Sequence, residues 1–541
     1  MSIYRDFCEE TFDEQGVLTE FRLKYSENYN FGYDVVDRIA AQTPDKTALV
    51  WCSATGEERI FSFAEMQRLS NQTANALALG GVRKGDRVMV ALKRNYEYWY
   101  CAVALHKLGA VLIPVTHMLT AKDIAYRVNS AEIAAVIATP EGDVLDRIDE
   151  VRAECPSLRK FWTVRQSRQG FENLTEQIAQ VSAQFARVDT HVHEPMIMYF
   201  TSGTTGFPKG VMHDHTYTLA HILTAVYWQQ VVDGGLHFTV AETGWGKASW
   251  GKIYGQWLAG SAVMVYDFDN FDPRQLVHTI NRYGVTTFCA PPTVYRYLVK
   301  KGVGEMPSLR HASTAGEALN PEVFRRFYEA TGIALAEGYG QTESTLMLAN
   351  LRGMTARPGS MGKPTPLYHV ELVREDGSPC QGDEVGEVVV VPSGTGRQDG
   401  IFCGYCGNDE LYAHVWRDGV YHTGDTARRD EEGYFWFHGR IDDVIKTGGF
   451  RVGPFEIENV LMEHPAVMEC SVVGVPDPLR GQAIKAVVVL APGYTASPEL
   501  QREIRDTCNH RLAEYKWIRI VEFVASMPRT ISGKIRKTEQ R

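Results

Sequence analysis

The chain has 541 residues, 44% hydrophobic and 23% charged, which is globular in composition and too long for one hydrophobic core, so two or more domains are expected. A net charge of -10 without any basic block excludes a nucleic-acid partner, because phosphate-backbone binding needs concentrated positive charge. The opening MSIYRDFCEETFDEQG mixes both signs of charge, unlike a secretory signal, and no apolar run approaches the roughly 18 residues of a membrane span, so a soluble cytoplasmic protein is expected.

In chain order, FSFAEMQRLSNQTANALALGG reads as a helix: Ser62 and Glu65 have capping-box spacing, Met66, Leu69 and Leu77 are apolar, and Gly80-Gly81 stops it. DRVMVAL then reads as a buried strand, YEYWYCAVALHKLG as an aromatic-rich helix ended by Gly109, and AVLIPV as a second strand. Strand, helix and strand without a hairpin turn favour parallel pairing and an α/β fold. The apolar runs AAVIAT, MIMYF, AVMVYD and TTFCAPP extend the pattern. From about residue 366, HVELVREDGSP and GEVVVVPSG change the texture to strands with Gly and Asp turns, a small β subdomain. The strands ECSVVGVPD, QAIKAVVVLAP and RIVEFVASMP, with a helix around 498–513, predict a separate small α+β domain starting near Asp442.

Ten cysteines, at 8, 52, 101, 155, 289, 380, 403, 406, 470 and 508, do not form a disulfide framework in a chain this long. Cys403 and Cys406 make the single C-x-x-C; without a second pair or a strand-to-helix context it reads as coincidence.

The stretch YFTSGTTGFPKGVMH, Tyr199 to His213, follows an apolar run and supplies hydroxyls plus glycines that let backbone N–H groups approach an anion. A Walker loop does not fit: Lys209 follows Pro208 instead of glycine and precedes Gly210 instead of the metal-binding hydroxyl. The run T-S-G-T-T-G-x-P-K-G instead resembles the signature of the acyl-adenylate-forming superfamily: acyl-CoA synthetases, adenylation domains of peptide synthetases, and firefly luciferase. Further segments match in order: AGEAL (315–319), EGYGQTE (337–343), YHTGDTA, GRIDDVIKTGGFRVGPFEIE and MPRTISGKIRK. The resemblance covers roughly residues 30 to 541 and is closest to the medium-chain acyl-CoA synthetases.

That resemblance implies a large domain, residues 1–438, of two α/β subdomains with parallel-rich sheets plus the small β subdomain. A small mobile α+β domain, 439–541, would turn about a hinge near Asp442. Thr201, Ser202, Gly203, Thr204, Thr205, Gly206 and Lys209 would hold the β- and γ-phosphates of ATP, and Gly316, Glu317 and Ala318 would line the adenine. Within Glu337, Gly338, Tyr339, Gly340 and Gln341, Tyr339 would pack on the base; Thr342 would contact the α-phosphate and Glu343 would bind Mg²⁺, a hard cation suited to carboxylate and phosphate oxygens. Asp425 and Arg440 would bind the ribose, and Lys534 would be the catalytic lysine.

Gly448, Gly449 and Phe450 would line a thiol tunnel. Arg451 and Arg480 are candidates for coenzyme A phosphates or for structural ion pairs. The acyl pocket falls on ETGWGKASWGKIYGQWLAG, with Trp245 and Trp250 as walls, Lys247 as a polar contact, and Cys289 and Gly340 beside them. Gly340 stands where acetate-specific relatives carry a capping tryptophan, which implies a larger acid: short-to-medium, branched or aromatic. The implied reaction joins a carboxylate to ATP as acyl-AMP, releasing pyrophosphate, then passes the acyl group to coenzyme A. The alternatives are an adenylating enzyme loading another thiol, or a non-catalytic acyl-AMP or nucleotide sensor. Monomer and homodimer both stay open.

Overall fold

In the computed structural model, residues 2–201, 207–392, 398–529 and 535–541 are described. The expectations on Ser202, Gly203, Thr204, Thr205, Gly206 and Lys534, and on the side chain of Arg451, lie outside the described residues.

The first sheet is eight-stranded, in the order 404–405, 209–214, 195–201, 111–114, 87–91, 135–138, 160–163, 172–173. Its strands from 195–201 to 172–173 run parallel, with Val88 beside both Leu112 and Ala135. The expected strand, helix, strand unit is Arg87–Ala91, Glu97–Leu108 and Val111–Pro114. Every residue of that helix is buried, which explains why its sequence shows no polar face, and Gly109 ends it in the left-handed region at φ 68°. The helix Phe63–Leu79 starts with the predicted capping box, Ser62 accepting from the Glu65 N–H and the Glu65 side chain accepting from the Ser62 N–H, a device worth about 1 kcal/mol.

The second sheet has nine strands and is parallel through 335–339, 311–314, 287–290, 236–239, 262–267 and 47–53. The texture change near 366 is a four-stranded antiparallel sheet of His369–Val373, Gly386–Val391, Tyr421–Arg429 and Phe435–Arg440. Beyond it, a five-stranded sheet centred on the hairpin Val467–Asp477 and Gly481–Leu490 packs with helices Pro454–Met462 and Pro498–Asn509 around a core of its own, including Val452, Ile457, Ile484 and Ile504. The last helix stops at Asn509, short of the expected 513.

The strand Lys209–Asp214 was not anticipated. Pro195–Thr201, the MIMYF run, borders the parallel strands on one side and pairs antiparallel with Lys209–Asp214 on the other. These two strands are the paired arms on either side of the hydroxyl-rich stretch.

Candidate active site

The hairpin puts Thr201 directly opposite Lys209, with the buried residues 196–199 fixing the stem in the core. On the exit side the exposed Phe207 ring stacks on Tyr126, 4.9 Å between centroids, and the Tyr126 hydroxyl donates to the Pro208 carbonyl at 3.1 Å. The helix Ala121–Ser130 thus tethers the loop's end. The Lys209 ammonium lies 5.3 Å over the Tyr405 ring.

Two parallel strands, His311–Thr314 and Leu335–Tyr339, deliver the next segments at their carboxyl ends, the edge of an α/β sheet where ligand crevices form. Gly316 has φ 99°, a conformation that a side chain strains. Glu317 projects outward and accepts from Thr293 at 2.9 Å; Ala318 is half-buried next to it. Glu337 is 3% exposed and one of its carboxyl oxygens accepts from the Leu319 N–H at 3.2 Å. Burial pushes its pKa up to about 8, so the carboxyl is protonated at neutral pH. Gly338 has no room for a side chain: a Cβ there would sit 2.7 Å from the Trp228 ring.

Asp425, buried on the strand Tyr421–Arg429, is the centre of a network. Tyr339 donates to its Oδ2 at 2.6 Å, Gln341 Nε2 donates to the same oxygen at 2.5 Å, and Arg440 Nη1 reaches Oδ1 at 3.3 Å. Gln341 also donates to the Thr423 carbonyl and accepts from the Tyr421 hydroxyl, so its amide is spent on orienting protein groups. Each hydrogen bond to an ionised carboxylate is worth about 1.5–3 kcal/mol. Against the desolvation of a largely buried site, Asp425 and Asp442 push the Arg440 pKa up and keep it cationic. Asp442 accepts from Arg440 Nε at 3.1 Å through its carboxylate and from Arg541 Nη2 at 3.0 Å through its carbonyl.

Thr342 and Glu343 complete this segment. The Thr342 carbonyl accepts from His213 Nε2 at 2.7 Å, and that imidazole stacks on Tyr217, 4.0 Å between centroids. Glu343 Oε1 accepts from the Tyr405 hydroxyl at 2.9 Å, and its carbonyl accepts from the Phe402 N–H. Among the described residues no cation pairs with the Glu343 carboxylate, and no group of three or more His, Cys, Asp and Glu side chains forms a metal cage.

Of the acyl-pocket candidates, Trp250 lies against Gly340. A Cβ there would lie 2.6 Å from the Trp250 ring and 2.3 Å from the Thr345 carbonyl, so the indole crosses directly over the glycine. Trp250 in turn packs edge-on against Trp228. The Lys247 ammonium donates to the Ala315 carbonyl, which joins this segment to the AGEAL stretch. Trp245 is half-buried at the start of helix Gly246–Gly251, and buried Cys289 lies in register between Thr239 and Ser313.

In the last part of the chain, Gly448 and Gly449 have φ 56° and 83° with open space where side chains would stand. Phe450 is half-exposed and stacks on Tyr515 at 4.5 Å. The Gly448 N–H donates to the carbonyl of Arg480, whose guanidinium is exposed, so these two segments adjoin.

Sequence reasoning missed Tyr405, Tyr421 and His213. Tyr405 sits between Cys403 and Cys406, a segment that composition marks only for its thiols, and all ten cysteines are free.

Comparisons with known proteins identify the family. The profile described as AMP-binding enzyme matches residues 36–405, and that described as AMP-binding enzyme C-terminal domain matches 456–534. The mitochondrial acyl-coenzyme A synthetase ACSM3 of Mus musculus is 37% identical over 553 residues, covering 99% of this chain and 94% of the relative. The mitochondrial acyl-coenzyme A synthetase ACSM4 of Homo sapiens is 40% identical over 523 residues, with 94% and 90% covered. Among solved structures, the anthranilate CoA ligase AuaEII in complex with anthranoyl-AMP superposes with a TM-score of 0.88 at 28% identity, covering 95% of this chain and 97% of the other. Two profiles matched in order, and relatives of this identity along nearly the whole length, mean that the chain belongs to the AMP-binding enzyme family.

Proposed function

We propose that this chain is an AMP-forming acyl-coenzyme A synthetase, activating a carboxylic acid as acyl-AMP and passing it to the thiol of coenzyme A. The observation that carries the reading is the Asp425 network: a buried carboxylate oriented by Tyr339 and Gln341, on the same short segment that ends in Thr342 and Glu343. A carboxylate with a fixed, cation-backed orientation suits a ribose diol, and the neutral Glu337 adds no charge beside a triphosphate. The relatives named as acyl-coenzyme A synthetases supply the reaction class.

The first step must bring a carboxylate against a triphosphate, so negative charge is the obstacle. In this reading Lys209 and the loop before it receive the departing pyrophosphate, the Thr342 segment meets the α-phosphate, and Lys534 bridges the acid and that phosphate. Glu343 fits a hard cation: it offers carboxylate oxygen, lacks a cationic partner among the described residues, and stands alone as Mg²⁺ ligands do when phosphates and water complete the shell. When bound, Mg²⁺ would supply Lewis-acid charge neutralisation on the phosphates. For the second step, the domain from about residue 439 turns at Asp442 and brings Gly448, Gly449, Phe450, Arg451 and Arg480 toward the thiol's path. We place the acid in the space next to Trp250 and Gly340, a flat aromatic wall that suits a short-to-medium, branched or aromatic acid.

No helix among the described residues is long and apolar enough to cross a membrane. The ten free cysteines favour a thiol-reducing compartment, which describes both the cytosol and the interior of the mitochondrion, where the named relatives reside. Pyrophosphate release across a panel of acids, with and without coenzyme A, tests the proposal. AMP and pyrophosphate formed steadily without any coenzyme A requirement would redirect it to another thiol acceptor, and silence with every acid would favour a sensor.

A further inference from the structure

We infer that Tyr405 is a positioning residue that aims the Glu343 carboxylate at the metal and ties it to Lys209; the inference rests on the adenylating function proposed above. Tyr405 lies on the two-residue strand Gly404–Tyr405 at the edge of the first sheet, in register with Val211 of the strand that begins at Lys209. The two cysteines that bracket it act through their backbones: the Cys403 N–H donates to Met212 at 2.7 Å and the Cys406 N–H donates to Gly210 at 2.8 Å. Gly210 permits this close ladder, because a Cβ there would lie 2.9 Å from Met198 Sδ and 3.1 Å from Cys406 Cβ. The C-x-x-C segment thus frames a tyrosine.

The ring itself is held rigidly. Tyr405 is 3% exposed and packs on Phe402, 4.8 Å between centroids, which packs in turn on Tyr412 and Tyr421. Among the described residues its hydroxyl donates to Glu343 Oε1 at 2.9 Å, while its face carries the Lys209 ammonium at 5.3 Å. A donor on one carboxylate oxygen fixes the torsion and leaves the other oxygen for a cation, the way outer partners orient metal ligands. One side chain therefore sets the spacing between the carboxylate and the lysine of the phosphate loop.

The test is Mn²⁺ titration by electron paramagnetic resonance in the presence of α,β-methylene-ATP, which binds but cannot be adenylated. Tyr405→Phe keeps the ring over Lys209 and removes the donor; Mn²⁺ affinity is expected to fall about 10–100-fold. Activity of this variant should recover toward the wild-type kcat at high Mg²⁺, a split that a general folding defect would not produce. Combined with Glu343→Gln, Tyr405→Phe should add nothing further, because it acts through the glutamate. Unchanged Mn²⁺ affinity in folded Tyr405→Phe, or full additivity with Glu343→Gln, overturns the inference. Replacing Tyr405 with 4-aminophenylalanine keeps the ring and puts an N–H donor where the hydroxyl stood, and should bind Mn²⁺ within about threefold of wild type; it decides the matter if the phenylalanine variant does not fold, and an equal loss in the folded aminophenylalanine and phenylalanine variants overturns it. If the wild type binds no Mn²⁺ with the nucleotide analogue, the adenylating reading itself falls and takes the inference with it; a normal wild type with an unaffected Tyr405→Phe removes the inference alone.

Discussion

Glu337→Gln isolates the energetic consequence of a carboxyl group buried without a counter-charge. The amide keeps an oxygen for the Leu319 N–H and nearly the same volume, so the AGEAL segment stays anchored while the ionisable proton is removed. The wild-type group has a pKa of about 8 in the folded chain against 4.5 when solvated, raised by desolvation. A raised carboxyl contributes stability that is fully present below its unfolded pKa and is lost as pH rises through the folded one, because the unfolded chain releases the proton first. From about pH 6 to about pH 9 this single group should remove roughly 3 kcal/mol of stability, at 1.36 kcal/mol per pKa unit. Urea midpoints of wild type and Glu337→Gln over that range, taken as differences, cancel the other titrating groups. Those include Lys252, fully buried and pushed down to about 7 by desolvation, whose linkage raises stability with pH above 7 and so opposes the Glu337 trend. The wild type should weaken relative to the variant as pH rises. A difference constant to within about 0.5 kcal/mol across the range would mean that the Glu337 carboxyl is already ionised in the folded state, and the neutral-acid reading would be refuted.

Lys534→Ala should depress acyl-AMP formation by about 10²–10³-fold or more while thioester formation from supplied acyl-AMP continues; equal loss in both half-reactions, measured separately, would remove the lysine from the adenylation step. Trp250→Ala should raise the kcat/KM ratio of an acid two carbons longer over the best wild-type acid by about 10-fold or more, at a stability cost of about 3–5 kcal/mol. An unmoved ratio would mean that the indole is core packing rather than a pocket wall. Tyr126→Phe deletes the bond to the Pro208 carbonyl but keeps the stack on Phe207, and should raise the KM for ATP about 3–10-fold with little change in kcat; steady-state kinetics at saturating acid and coenzyme A would show whether the tether matters.

The parts legible in the sequence are those with a local cause. Apolar runs such as AVMVYD became parallel strands because both faces of the sheet are covered, and the Ser62 capping box began a helix because its partner lies only three residues on. The hairpin strand Lys209–Asp214 was hidden because KGVMHD carries charge, Gly and His in place of the usual apolar alternation; its burial comes from neighbours far away in sequence. The same reason hid Tyr405 and Tyr421, whose roles are hydrogen bonds to residues 62 and 80 positions distant. Gln341 was legible as a motif member, yet its work on Thr423, Tyr421 and Asp425 emerges only when the four-stranded sheet folds beside it.

The paired stem at Thr201 and Lys209 separates two demands that usually compete. The described support of this corner lies in the ladder of the hairpin, the buried side chains of its first strand and the Tyr126 contacts with Phe207 and Pro208. Closing a connection between two strands already in register costs entropy only logarithmically in its length. Under the proposed function, the composition of the span between them would then answer to the anion it receives more than to the stem that carries it. Substitutions in that span would then change what it binds without first requiring a compensating change in the stem.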